Sequence, residues 1–318
     1  MFAARGFAVS FSVFVLVYCG LSLAVCCVWR RIWLWSEKFP SRRAADLFFA
    51  VRLLPLFVAL AVTAAFTVPS FLLLEPRAID EPLGGIPLGL GICGLLLVAF
   101  GLANVTRSAL RASKTIALWT REAQPVDDSG VVPVLRISGT VPALTATGIL
   151  RPRVLLSGAA EFLLTANELR TALQHEVAHV RRWDNLKKLL LRFVAFPGMS
   201  ELENAWLEAT EMAADDAAVS NPVDALDLAA AIIKLSKLAS ASGYPFSDLA
   251  IALVHSAAAS TNARVERLIR WSDYGCAPRQ EYSSWYALGG GLATIAAFAV
   301  SYSGLLVRVH TATEWLVR

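Results

Sequence analysis

Apolar residues are concentrated in four blocks, each about as long as the ~20 residues that a membrane-crossing helix needs. The blocks run from about residue 6 to 29, 53 to 74, 86 to 105 and 285 to 307. The pattern predicts an N-terminal membrane region over residues 1–105 with three transmembrane helices, a fourth helix over 285–307, and a short tail over 308–318. Residues 106–284, between the third and fourth blocks, have mixed polarity and are numerous enough for a domain with its own core.

Basic residues predict the orientation of this membrane region. The segment after the first block carries Arg30, Arg31, Lys38, Arg42 and Arg43, and the segment after the third carries Arg107, Arg111, Lys114 and Arg121. The segment after the second block has Arg77 against three acidic residues. Positively charged segments stay in the cytoplasm, so we expect the amino terminus and the tail outside and residues 106–284 inside. Arg5 alone opposes this orientation.

Composition supports a multi-pass membrane protein. The 318 residues are 56% hydrophobic and 17% charged, whereas soluble domains carry about 25% charged residues. This excludes a disordered chain and an ordinary soluble enzyme. The net charge of +4 comes from residues beside the apolar blocks, so we expect a lipid bilayer and no direct nucleic-acid partner. The five cysteines form no C-x-x-C pair, which argues against a cysteine zinc site.

The mixed segment predicts a small sheet followed by helices, hence a mostly α protein with an α+β domain. Short β-rich runs fall at 131–137, 140–148 and 154–156, after a turn at Asp127–Gly130. Thr165 and Glu168 fit a capping box that opens a helix to about residue 196. Ser200 and Glu203 fit a second capping box, for a helix ending near Pro222. Two further helices are predicted over about 223–240 and 247–271.

One motif carries chemistry. His175, Glu176 and His179 form an H-E-x-x-H pattern on the first predicted helix of the domain. The i, i+4 spacing places both imidazoles on one face, where they can share one Zn²⁺ ion per chain. Glu176 can take a proton from a water activated by that metal, which makes it the candidate catalytic base.

The next predicted helix supplies a third ligand. A catalytic zinc needs three protein ligands and an open position. Glu211 and Asp215 are four residues apart, so Glu211 can bind the metal while Asp215 accepts the second N–H of a ligating histidine. Glu208, which partly shares the face of Glu211, and Asp216 are the rival carboxylates.

Four stretches together resemble the M56 family of membrane zinc metallopeptidases, typified by the BlaR/MecR antibiotic sensors. They are Gln174–Leu186, Glu211–Val219 with Ala214 at a cysteine position, Arg52–Pro55 and Gly148–Val154. The pairing of H-E-x-x-H with E-x-x-A-D also looks like the gluzincin peptidases in general. The resemblance implies three or four spans around a zinc endopeptidase domain in a bacterial-type inner membrane. It further implies cytoplasmic protein substrates, with a transcriptional repressor as the leading candidate.

The resemblance has one departure and leaves alternatives open. The antibiotic sensors carry a penicillin-binding domain after their last span, and this sequence ends about ten residues after its fourth block. We therefore do not expect β-lactam sensing. The alternatives are a membrane-protein quality-control peptidase, or a non-catalytic signalling scaffold with a structural zinc. The activating signal, the cleavage site and the oligomeric state stay open.

Other polar segments have plainer interpretations. Asp184 is expected to pair with a neighbouring arginine, and Arg264–Arg270 to form a solvated charged face. His255 lies on an apolar face and is expected to be packed. Residues 186–196 have apolar and basic sides that suit either lipid headgroups or the core. Residues 142–148 could form an edge strand that an extended substrate joins.

Overall fold

The computed structural model describes residues 2–75, 84–126, 132–138, 143–193, 196–242, 251–252, 258–274, 302 and 304–313. Several predictions fall elsewhere in the chain. The turn at 127–130, His255 and most of the fourth apolar block lie outside the described residues.

Among the described residues, three helical segments are long and apolar enough to cross a membrane, and each contains one of the first three predicted blocks. They are α1 (Phe2–Ser36), α4 (Gly85–Trp119), and a continuous segment made of α2 (Ser41–Val62), a π-helical turn (Thr63–Thr67) and α3 (Val68–Leu74). The helices extend beyond the apolar blocks. Arg30 and Arg31 lie on α1 and Arg42 and Arg43 on α2, because arginine is a good helix former.

The π-helical turn has an identifiable cause. Pro69 has no N–H to donate to the carbonyl of Ala65 four residues earlier. The hydroxyl of Tyr302 donates to that carbonyl at 2.7 Å. A side chain thus satisfies a main-chain acceptor, as an apolar environment requires.

The chain divides into two compact units. One comprises residues 1–28, 53–100 and 277–318, and the other comprises residues 29–52 and 101–276. The second unit contains the sheet and the helices that follow it.

The sheet is mixed and has the strand order β1-β2-β4-β3-β5. Its strands are β1 (Gln124–Pro125), β2 (Val134–Ile137), β3 (Leu144–Thr147), β4 (Arg153–Ser157) and β5 (Ile251–Ala252). β2 and β4 are parallel and the other pairs antiparallel. The three predicted strands are present. The predicted helix over 247–271 is wrong at its start, because 251–252 pair with β3 and the helix begins at Ala258.

Six helices accompany the sheet. They are α5 (Gly158–Leu163), α6 (Ala166–Arg181), α7 (Asp184–Phe193), α8 (Ser200–Ala218), α9 (Pro222–Ser242) and α10 (Ala258–Tyr274). The single helix predicted over 165–196 is therefore two helices. Trp183, with φ of 58°, adopts the left-handed conformation and ends the first. The capping box at Ser200 is also wrong, since Ser200 is the first residue of α8 and its cap, Met199, makes no side-chain bond.

The apolar core of the second unit lies between the sheet and α6, α8 and α9. Val154 and Leu156 of β4 contribute to it together with Ala172 of α6 and Leu228 and Ile232 of α9. Small residues on α6 and α8 let these two helices pack closely. This packing brings the H-E-x-x-H helix against the helix that carries Glu211.

Candidate metal centre

The helix α6 is fixed at its amino terminus and buried in its second half. Thr165 and Glu168 form the predicted capping box, with the Glu168 carboxylate accepting from the Thr165 N–H at 2.8 Å. Lys234 of α9 donates to both oxygens of Glu168, at 2.7 and 2.8 Å. Two turns later His175, Glu176 and His179 are at most 1% exposed.

Three side chains from two helices converge on one point. The Nε2 atoms of His175 and His179 are 3.1 Å apart, and each lies 3.6 Å from an oxygen of Glu211. Zn²⁺ in a tetrahedral site, at ~2.0–2.1 Å from each ligand, separates neighbouring ligand atoms by about 3.3–3.4 Å. The three distances are close to that value, and the two 3.6 Å distances run to different oxygens of Glu211, Oε2 from His175 and Oε1 from His179. Two imidazole nitrogens and a carboxylate at this approach are a donor set that suits zinc. Other divalent cations that accept two nitrogens and a carboxylate would also fit.

Each histidine is oriented by a carboxylate behind it. His175 Nδ1 is 3.0 Å from Asp215 Oδ1, and His179 Nδ1 is 2.9 Å from Asp184 Oδ2. A carboxylate beside Nδ1 favours a proton on that nitrogen, which leaves the two Nε2 lone pairs facing each other. Two buried lone pairs at 3.1 Å repel unless a cation lies between them. The tautomers that these carboxylates favour are therefore those of a metal site.

Arg264 of α10 completes the charge balance. It is 1% exposed and binds Asp215 through two hydrogen bonds, of 2.7 and 2.8 Å. Its third nitrogen lies 2.9 Å from Glu211 Oε2. Burial alone would raise the pKa of Glu211, but Arg264 and His179 hold it at about 2. The pKa of Asp215 is likewise held well below its usual range, against burial, by Arg264. Both carboxylates are thus anionic at neutral pH.

The site favours positive charge at His175. Burial lowers the pKa of His175, but the hydrogen bonds to Asp215 and Glu211 outweigh burial and raise it to about 9. The negative charge around His175 therefore attracts a proton. It attracts a divalent cation more strongly, because that cation carries twice the charge.

Glu176 is placed beside the ligands without being one of them. Burial raises its pKa to about 7, partly opposed by positive charge at His179 and His175. Its Oε2 accepts from the Ala146 N–H at 2.6 Å. Its Oε1 is buried and has no hydrogen-bond partner in the part of the chain that the structure describes. One oxygen is fixed, and the other remains as a proton acceptor.

The structure brings together the residues that the sequence singled out and separates their rivals. His175, His179 and Glu211 offer ligand atoms within 4.8 Å of one another. Glu208 is exposed on α8, and Asp216 instead pairs with Arg267.

Asp184 lies 3.7 Å from Arg182, as expected from the sequence, and it is also fully buried and 2.9 Å from His179, a contact that was not expected. The interpretation of Arg264–Arg270 as a solvated charged face is wrong at Arg264. Arg264 is buried against Asp215, whereas it was expected on a solvated face. The sequence analysis predicted no helix end at Trp183. Such an end would have placed Asp184 at the start of a new helix and indicated that it could reach His179. For Arg264 the one signal was its place in a helix with alternating apolar residues.

The segments around the site are packed by the protein itself. β3 lies between β4 and β5, so within the described residues it is not the open edge strand that was predicted. Lys187 of α7 lies over the Phe49 ring, 5.5 Å from its centroid. A Cβ at Gly101 of α4 would come within 2.7 Å of the Phe193 carbonyl. Helix α7 therefore packs on α2 and α4, which supports the core alternative for its apolar side.

No model of a known protein family matches the chain, and a search of curated proteins finds no match.

Proposed function

We propose that the protein is a membrane-embedded zinc endopeptidase that cleaves protein substrates at the cytoplasmic face of a bacterial-type inner membrane. The observation that carries the proposal is the convergence of His175, His179 and Glu211, whose ligand atoms lie within 4.8 Å of one another, with Glu176 beside them. The three apolar helices support the membrane part. The basic residues that follow the first and third apolar blocks support the cytoplasmic orientation.

The residues divide the chemistry between them. His175, His179 and Glu211 would hold the metal, which when bound supplies a Lewis acid that polarises a peptide carbonyl and acidifies a water. Glu176 takes the proton of the attacking water on Oε1 and returns it to the leaving amine. Burial, which raises the pKa of Glu176, favours its holding the proton until the amine leaves. Asp215 and Asp184 keep the imidazoles in the ligating tautomer.

A catalytic metal is favoured over a purely structural one. Structural zinc sites are closed by four protein ligands, usually including cysteine. Among the described residues, the group that can hold a metal has three members and no cysteine. The buried, unpartnered Oε1 of Glu176 has no use in a structural site.

The test compares the purified full-length chain with Glu176→Gln in detergent, using dye-quenched casein as the probe. Glu201→Gln, on the exposed side of α8, is the matched control. We expect one zinc per chain in all three proteins, and a loss of about 10²–10⁴-fold in cleavage for Glu176→Gln alone. Full cleavage by Glu176→Gln, or no zinc in the unsubstituted chain, would contradict the proposal.

The physiological substrate needs a cellular experiment. Proteomes of cells with the unsubstituted chain and with Glu176→Gln are compared. Stabilisation of one DNA-binding protein would support repressor cleavage, which we propose as the role. Stabilisation of many membrane proteins would instead support quality control.

A further inference from the structure

The second residue of α7 ties that helix to the end of β3. Asn185 is 8% exposed, and its Nδ2 donates to the carbonyls of Ala146, at 3.2 Å, and Gly148, at 3.1 Å. The two carbonyls are two residues apart, so they point to the same side of the strand. The side-chain amide of Asn185 thus uses both of its N–H groups to hold the carboxyl end of β3 and the residue that follows it.

The main chain that Asn185 binds also contacts Glu176, the candidate base. Ala146 donates its N–H to Glu176 Oε2 at 2.6 Å while its carbonyl accepts from Asn185. Gly148, which follows the strand, has φ of +86° and lies in the left-handed region. Ala146 is thus bound through both its N–H and its carbonyl, so a shift of this residue after loss of the Asn185 bond would displace the N–H that holds Glu176 Oε2.

The first residue of α7 acts on the other side of the site. Asp184 holds the Nδ1 of the ligand His179 at 2.9 Å, and Asn185 follows it directly. The start of one helix therefore contacts both a metal ligand and, through the main chain of β3, the base. A carboxylate at position 185 could not replace the amide, because it has no N–H and would repel two carbonyl oxygens.

We propose that Asn185 is a positioning residue for the general base, acting through the main chain of Ala146 to aim Glu176 Oε1 at the attacking water. The inference rests on the proposed peptidase function. Asn185 touches neither the ligand atoms nor the free oxygen of Glu176. Its loss should slow the chemical step and leave metal binding and substrate binding nearly unchanged.

The experiment measures kcat, KM, zinc content and thermal unfolding of the full-length chain in detergent, with dye-quenched casein. Asn185→Leu removes both donors at similar volume, and Asn204→Leu, exposed on α8, is the matched control. We expect kcat to fall about 10–100-fold in Asn185→Leu, as misplacement of a catalytic group does, with KM within about twofold and one zinc retained. In the Glu176→Gln background the same change should lower the residual rate by less than about twofold, because the base is already absent.

The outcomes separate this inference from the function on which it rests. Absence of zinc-dependent cleavage in the unsubstituted chain overturns both. Normal kcat in Asn185→Leu, or a full-size effect in the Glu176→Gln background, overturns the positioning role alone. Should Asn185→Leu fail to fold, Asn185→Ala decides, since it removes both donors without adding an apolar side chain of the same size. A kcat between those of Asn204→Leu and Glu176→Gln supports the role, and an unchanged kcat overturns it.

Discussion

The two compact units bury polar groups for different reasons. In the first, apolar side chains such as Leu73 and Ile86 are more than two-thirds exposed, while Ser12 is fully buried and donates to the carbonyls of Ala8 and Pro87. This arrangement suits a helix in lipid, where polar groups must find partners inside the protein. In the second unit the core is apolar, yet among its described residues six ionisable side chains are at most 1% exposed: His175, Glu176, His179, Asp184, Asp215 and Arg264.

The difference teaches where function resides. Packing in lipid explains the buried Ser12 of the first unit, whose hydroxyl is satisfied by main-chain carbonyls of α1 and α4. Nothing in the packing of the second unit requires six buried ionisable groups, since replacement of such networks by apolar residues is often neutral or stabilising. Their presence at one place is best explained by chemistry that needs them.

The largest effect is expected from breaking the buried charge network. Arg264→Met leaves Asp215 and Glu211 buried without their cation, which should lower the free energy of unfolding by about 3–5 kcal/mol. Arg270→Met, on the exposed side of the same helix, should change it by less than about 0.5 kcal/mol. Urea unfolding in detergent measures both. Equal losses of unfolding free energy in the two variants would mean that the buried charge network stabilises the second unit no more than an exposed arginine does.

The next effect concerns the carboxylate behind His179. Asp184→Asn removes the acceptor that fixes the tautomer of His179, and the affinity for zinc should fall about 10–100-fold. Asp46→Asn is the control, because Asp46 faces Lys187 at 3.4 Å, as Asp184 does at 3.8 Å, without reaching the histidine. Competition with a chromophoric chelator gives the affinities. Similar losses in both variants would assign the effect to the lysine and not to the histidine.

In the first unit, helix packing is tested by two glycines of α4. A Cβ at Gly94 would lie 2.9 Å from the Phe11 carbonyl oxygen of α1, whereas one at Gly89 meets nothing within 4 Å. Gly94→Ala should therefore destabilise the protein by about 1–3 kcal/mol through overpacking. Gly89→Ala should stabilise it by up to about 1 kcal/mol through helix propensity. Thermal unfolding in detergent measures both, and changes of the same sign would contradict the close α1–α4 packing.

The smallest effect is a pH-dependent one at the start of α6. Burial alone would raise the pKa of Glu168, but the hydrogen bonds from Lys234 and Thr165 lower it below its usual range. The ion pair then adds stability above about pH 4.5 and loses it as pH falls through the folded pKa. Lys234→Met should cost about 1 kcal/mol at pH 7 and almost nothing near pH 2. Urea unfolding at both values, with exposed Lys237→Met as control, tests this, and a cost independent of pH would exclude the ion pair.

Local patterns predicted the parts of the fold and the site that depend on local spacing. The first three apolar blocks, the three short strands and the capping box at Thr165 each follow from a few adjacent residues. The approach of His175 and His179 follows from the helical period. Glu211 followed from the same period on the next helix, together with the resemblance. The roles of these residues stay predictions until a metal is measured.

Contacts between distant segments could not be predicted in this way. Asp184 reaches His179 because Trp183 takes a left-handed conformation, against the usual preference of a bulky residue. Arg264 reaches Asp215 from another helix, 49 residues later. β5 exists only because β3 is beside it, and a two-residue strand leaves almost no pattern in the sequence. Each of these depends on tertiary packing rather than on local propensity.

The most direct test of the central claim is X-ray absorption at the zinc edge of the purified full-length chain, with His179→Ala beside it. The account predicts one zinc per chain, bound by nitrogen and oxygen at ~2.0–2.1 Å with two imidazoles and no sulfur. His179→Ala should lose that metal. Sulfur in the ligand shell, or an unchanged spectrum in His179→Ala, would contradict the claim that α6 and α8 hold a metal between them.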